Sequence, residues 1–194
     1  MEKKIVLIDS DGVIADLSAQ WCQVYNKRYN DTLTPEQFTA TWDGMAKVVK
    51  PECGEKVYDL MKEPGFFQGC LPYDGAVHTL QEMVEDTRLD CYIVTAYSGN
   101  GEAAKGKIDF YEKHCPFFDT ERVLLCKPKF LVQGDILIDD SYKNIKKWVL
   151  ENHNGVGLMV AQGHNEEHED KAEVNARVAN LADAYEYIKA VVLV

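Results

Sequence analysis

The chain has 194 residues, 46% of them apolar, and its 32 acidic against 21 basic side chains give a formal net charge of −11. A chain of this length can bury one sizeable core with room for an insertion, and its acidic balance excludes gripping a nucleic-acid polymer, which needs a basic excess along the phosphate backbone. The six scattered cysteines (Cys22, Cys53, Cys70, Cys91, Cys115 and Cys126) show neither zinc spacing nor a CxxC pair, and no stretch has membrane-spanning length or signal-peptide character, so a soluble cytoplasmic protein with reduced thiols and no membrane partner is expected.

The first predicted element is a strand over residues 5–8, an apolar run suited to burial on both faces of a parallel sheet. It delivers Asp9 and Asp11, with Gly12 next, where the missing Cβ lets backbone approach a ligand. Carboxylates are out of place inside such a sheet but belong in the crevice beyond its carboxyl end. Two of them one residue apart need a compensating cation or a shared proton, and Mg²⁺, held by carboxylates together with a small phosphate, is the first candidate. The same DSDG also suits a plain polar turn.

Residues 16–29 carry helical spacing at Leu17, Trp21, Val24 and Tyr25, and Thr34, Pro35 and Gln37 form a capping-box start. A further helix is predicted over residues 52–62. Residues 17–71 contain no convincing strand and therefore form a small helical cap inserted after the first strand, leaving 1–16 and 72–194 as the core domain. The aromatics Trp21, Trp42, Phe66 and Phe67 suit either core packing or stacking on a ligand, with Trp42 the favoured stacker.

From Asp74, the predicted N-cap of a helix with the apolar face Val77, Leu80, Met83 and Val84, helix and strand alternate. Strands are predicted at 90–94 (ending in Thr95), 122–126, 135–138 (ending in Asp139 and Asp140) and 156–160. Helices are predicted near 103–114, 142–151 and from about 182. This is the pattern of an α/β fold, a Rossmann-like parallel sheet with helices on both faces. Asp9 and Asp11, Thr95, and Asp139 and Asp140 then share one carboxyl edge, where strand ends converge on a crevice. Lys129 is the natural cation for such a cluster, unless it is an ordinary solvated lysine like the nearby Lys127.

In this order DSDGV, IVT, a lysine and ILIDD resemble the four motifs of the haloacid dehalogenase superfamily. The segments IDSDGVIAD, EPGFFQGCLPYDGAVHTLQEM, CYIVT, KFLVQGDILIDD and VAQGHN are most similar to the 5'(3')-deoxyribonucleotidases within it. The resemblance implies a haloacid-dehalogenase-like fold and a phosphomonoesterase acting on deoxyribonucleoside monophosphates, with Asp9 as nucleophile and Asp11 as general acid and base. It implies Mg²⁺ held by Asp9, the Asp11 carbonyl and Asp140, with Asp139 beside it. Thr95 and Lys129 would bind the phosphoryl oxygens, helped by amides near Gly12 and Ala96, and Trp42 and Leu17 would face the substrate from the cap. Two departures fall on substrate contacts: Ala96 and Tyr97 where relatives tend to carry Ser, and Leu17 where an aromatic is common. A sugar-phosphate phosphatase and a catalytically idle nucleotide- or partner-binding member are the alternatives, and homodimer formation is left open.

Two near-motifs belong to neither scheme. GEAAKGK at 101–107 lacks the P-loop hydroxyl, because Ile108 stands in its place, and so is expected to be a glycine-containing loop opening a helix. His164, Glu167 and His168 match a zinc-peptidase spacing but lie in a stretch expected to be a polar loop.

Overall fold

The structure, a computed structural model, describes residues 2–40, 45–97 and 100–193. Trp42 lies outside the described residues.

β1 (Lys4–Ile8) lies at the centre of a six-stranded sheet. After it come α1 (Leu17–Tyr29), α2 (Pro35–Thr39), α3 (Met45–Val48) and α4 (Ala76–Glu85), then β2 (Leu89–Thr95), α5 (Gly101–His114) and β3 (Val123–Leu125). β4 (Ile136–Asp139), α6 (Tyr142–Glu151), β5 (Val156–Val160), β6 (Ala176–Val178) and α7 (Leu181–Tyr187) complete the chain. The strand order is β3-β2-β1-β4-β5-β6. Every pairing is parallel, and Val6 stands opposite both Cys91 and Ile136. Successive units run outward from β1 to β3 and then restart on its other side with β4. That reversal makes a crevice at the carboxyl end of β1, where open α/β sheets bind ligands.

Alternation along the strands separates two apolar layers. Val6, Ile8, Ile93, Ile136 and Ile138 pack with residues of α4, α5 and α7, whereas Leu7, Val94 and Leu137 meet Ile145 and Trp148 of α6. Helices therefore cover both faces, as predicted. Gly134 lies against Leu7, and Trp148 anchors α6 by donating its indole N–H to Val132 O at 2.9 Å.

Residues 17–71 form a helical unit with no strand among the described residues. Trp21 is fully buried there, stacked on Tyr25 and Phe38 at 5.0 and 4.5 Å, and donates to Val57 O at 3.0 Å, so it is core and not a ligand platform. Asp16 caps α1 and Thr34 with Gln37 forms the expected capping box.

Several predicted elements differ. Residues 52–62 form two 3₁₀ turns, Gly54–Tyr58 and Leu60–Lys62, because Gly54 enters with φ +48° and the amides of Lys56, Asp59 and Lys62 each bond three residues back. Asp74 is exposed and caps nothing; the chain enters α4 through Gly75, whose φ of +73° glycine adopts without a Cβ clash, so the start falls one residue later. The buried face of α4 is Ala76, Thr79, Leu80 and Met83, with Val84 exposed. Sequence reasoning missed β6, a short edge strand carrying Arg177.

Candidate active site

Asp9 leaves β1 with its amide donating to Ile138 O at 2.8 Å, so the sheet holds its position to the last residue. Beyond it, Ser10 O accepts from the amides of Val13, Ile14 and Ala15, folding the chain into a tight turn. Gly12 occupies that turn with φ +77°, and a Cβ there would sit inside the van der Waals envelope of the Asp140 carboxylate. The turn after β1 can lie against the Asp140 carboxylate only because residue 12 has no side chain.

The predicted residues converge. Lys129 is 3% exposed and bridges Asp9 Oδ2 and Asp139 Oδ2, each at 2.6 Å, so it is no ordinary solvated lysine. Burial works against charging it, but Asp139 and Asp9 more than offset that and hold its pKa above the usual lysine range. Asp9 Oδ1 also accepts from the Ser10 amide at 2.7 Å. Asp139 is fully buried and saturated, taking Ser141 N–H and Asn144 Nδ2–H besides Lys129. Burial lifts the Asp139 carboxyl to about 6 despite that lysine. Asp140 is pushed well above the ordinary carboxylate value by burial and then by its neighbours Asp139 and Asp9. Thr95, the last residue of β2, is fully buried.

Ligand atoms of Asp9, Asp139 and Asp140 all lie within 4.8 Å of one another, a spacing that suits one hard cation. The donor set fits magnesium: these are oxygens only, and burial first, with neighbouring carboxylates adding to it, raises the Asp140 and Asp11 pKa values. Since Asp139 already spends its oxygens on Lys129, Ser141 and Asn144, Asp9 and Asp140 are the better placed carboxylates.

Three features escaped sequence reasoning. Lys107 of the rejected P-loop lies inside α5, 2% exposed, and donates to Asp11 Oδ2 at 2.6 Å. The GEAAKGK stretch is thus neither a phosphate cradle nor a loop: it is the first half of a helix. Residues 163–168, expected as a polar loop, form a 3₁₀ segment against the site. Its fully buried Asn165 donates to Asp140 O at 2.8 Å, Gln162 Nε2 donates to Gly12 O at 2.9 Å, and His164 Nε2 stands 3.2 Å from Asp140 O. A GHN sequence after a strand end was the available signal. The zinc reading fails geometrically, since the metal-capable cluster among the described residues is carboxylate only.

These groups open into a cleft of about 590 Å³, within the range of small-ligand sites. Asp9, Asp11, Gly12, Ala96, Lys129 and Asp140 line its floor, and Leu17, Met61 and Phe67 come from the helical unit. Tyr142, stacked on His168 at 4.2 Å, forms part of the wall with Lys127 and Lys143.

Comparison with known proteins points the same way. Residues 3–193 match the family model described as 5' nucleotidase, deoxy (pyrimidine), cytosolic type C protein. The chain is 34% identical over 165 residues to the 5'(3')-deoxyribonucleotidase of Clostridium acetobutylicum, covering 85% of this chain and 86% of that one. Among solved structures it is similar to a haloacid-dehalogenase-like protein from Agrobacterium tumefaciens, with TM-score 0.65, 13% identity, and 98% and 99% of the two chains covered. It is also similar to a haloacid-dehalogenase-type hydrolase of Bacillus subtilis bound to magnesium, with TM-score 0.61, 15% identity, and 97% and 99% covered.

Proposed function

The chain belongs to the 5'(3')-deoxyribonucleotidase family of haloacid-dehalogenase-like hydrolases, and from that premise we propose that it is a magnesium-dependent phosphomonoesterase cleaving deoxyribonucleoside monophosphates to nucleoside and phosphate. The observation that carries this reading is the meeting of Asp9, Asp11, Lys129 and Asp140 in one cleft at the sheet's switch point, with buried Thr95 joined to Asp11 through a shared lysine behind it.

Asp9 is the nucleophile: its carboxylate oxygen attacks phosphorus, the bond from phosphorus to the sugar oxygen breaks, and an aspartyl-phosphate forms. Asp11 gives its proton to the departing oxygen. It then takes a proton from the water whose oxygen attacks phosphorus, and Asp9 is released as the carboxylate. Lys129 and Thr95 face the phosphoryl oxygens and offset the charge that spreads over them. Asp9, the Asp11 carbonyl and Asp140 would hold Mg²⁺, which when bound neutralises charge on the phosphoryl group. Residues 17–71 act as the cap that excludes water, with Leu17 and Phe67 on the substrate side. The cytosolic description of the family model supports a cytoplasmic enzyme.

Phosphate release is to be measured with 5' and 3' monophosphates, deoxy and ribo, and with sugar phosphates, each with Mg²⁺ and with chelator. Metal-dependent turnover concentrated on deoxynucleotides is expected. Turnover of sugar phosphates alone would overturn the substrate class, and metal-independent turnover would overturn the site.

A further inference from the structure

We infer that Lys107 is a positioning residue for this reaction: its buried ammonium holds the Asp11 carboxylate and the Thr95 hydroxyl in their working orientations. The inference rests on the proposed roles of those two residues.

Lys107 Nζ donates to Asp11 Oδ2 at 2.6 Å and to Thr95 Oγ1 at 3.0 Å, and stands 4.5 Å from the centre of the Phe67 ring. An ammonium offers three donors and no acceptor. The Thr95 hydroxyl must therefore accept from it, which frees the hydroxyl hydrogen to point elsewhere. Its one other partner, Ala96 O, is 3.5 Å away and competes weakly, so a phosphoryl oxygen is the better acceptor. The same logic divides the two oxygens of Asp11. Oδ2 is occupied by Lys107, while Oδ1 is buried and makes no hydrogen bond, so it is the oxygen with a lone pair still open to a proton. Lys129 contacts Asp9 and Asp139. The two ammonium groups thus serve different carboxylates, one for the nucleophile and one for the acid and base.

The surrounding fold is arranged to seat this lysine. Gly106 brings α5 against the end of the helical unit, where a Cβ would stand 2.9 Å from Phe67 Cβ and 2.8 Å from Gln68 Oε1. Gln68 donates to Asp109 at 3.0 Å, and Asn100, which caps α5, donates to Lys62 O at 2.9 Å. The helix carrying Lys107 is clamped on both sides of it. A lysine kept this dry needs its partners to offset lost hydration, and the partners are two residues of the reaction and one ring.

The test uses the two halves of the reaction. A sugar oxygen needs a proton to depart, whereas nitrophenolate leaves without one, yet hydrolysis of the aspartyl-phosphate needs Asp11 with either substrate. Lys107→Met is expected to slow deoxynucleotide turnover about 10²-fold, the scale of a lost general acid, with KM shifted far less. With p-nitrophenyl phosphate it is expected to release one nitrophenolate per active site in a rapid burst before a slow steady state. Lys107→Gln, which keeps a shorter neutral donor, should recover part of the nucleotide rate. In an Asp11→Asn background, Lys107→Met should add less than about a threefold further loss, since contacts acting through one group are not additive. The burst counts active sites, so partial misfolding does not imitate the result. Equal losses on both substrates without a burst, multiplicative losses in the double variant, or an unchanged nucleotide rate would each overturn the role of Lys107. Wild-type enzyme inactive on every deoxynucleotide would instead overturn the function on which the inference rests.

Discussion

At the scale of single residues, the site depends on a few side chains that have no room to be anything else. Asp9→Asn keeps the volume and leaves Lys129 its 2.6 Å bond to Asp139, so the fold should survive. Turnover is expected to fall by about 10⁵-fold or more, as for other lost nucleophiles, and a phosphate-release assay beside a thermal melt checks both halves. Gly12→Ala should do the reverse damage: the left-handed backbone and the clash with Asp140 are expected to cost about 1–3 kcal/mol, read by urea titration, and to cut activity by displacing Asp140. Asp9, Asp11, Thr95, Lys129 and Asp140 were legible because each ends or closely precedes a strand with a strong apolar signature. Lys107 was not, because a lysine in a helix looks solvated until tertiary packing puts it under Phe67. Gln162 and Asn165 were harder for a similar reason: the GHN stretch after a strand end marks the segment, but only tertiary packing decides that their partners are the backbone of other motifs and not water.

At the scale of elements, the strands were the easiest part to read, since a strand buried on both faces is a continuous apolar run. β6 broke that rule by lying at the sheet edge with an arginine in its middle. Helix boundaries were legible at Asp16 and Thr34, where a side chain makes the cap, and misread at Gly75, where backbone conformation alone does it; α5 starts at Gly101, two residues before its predicted start, although Asn100 caps it. The cap of α1 is a useful handle, because Asp16 accepts from Ala19 N at 2.9 Å and Ser18 Oγ at 2.7 Å at the start of a helix whose first two residues line the cleft. Asp16→Ala is expected to lower stability by about 1 kcal/mol, shown by a lower urea midpoint at unchanged slope. Trp21→Ala, which empties the centre of the helical unit, should cost about 3–5 kcal/mol.

At the scale of the whole molecule, stability and the site pull against each other. Burial raises the pKa of Asp11, Asp139 and Asp140, so the folded chain binds more protons there than the unfolded one, and stability falls as pH rises through those values. For Asp139 that window runs from its ordinary 3.8 to about 6. Carboxylates held low by arginine, Asp86 by Arg88 and Asp90 by Arg122, behave oppositely, and their contribution is lost only as pH drops below the ordinary value. Chelator-treated protein is therefore expected to melt at a higher temperature near about pH 5 than near about pH 7, with Mg²⁺ raising the melt more at the higher pH; scanning calorimetry at both values decides it. The strand order also bears on how the protein is made. β1 is central and its neighbours come later, with Lys107 following Asp11 by 96 positions in the chain. A ribosome adding about 5–20 residues per second thus leaves the paired aspartates without either lysine for roughly 5–20 s, so the nascent chain carries its two closely spaced carboxylates long before it can fold around them.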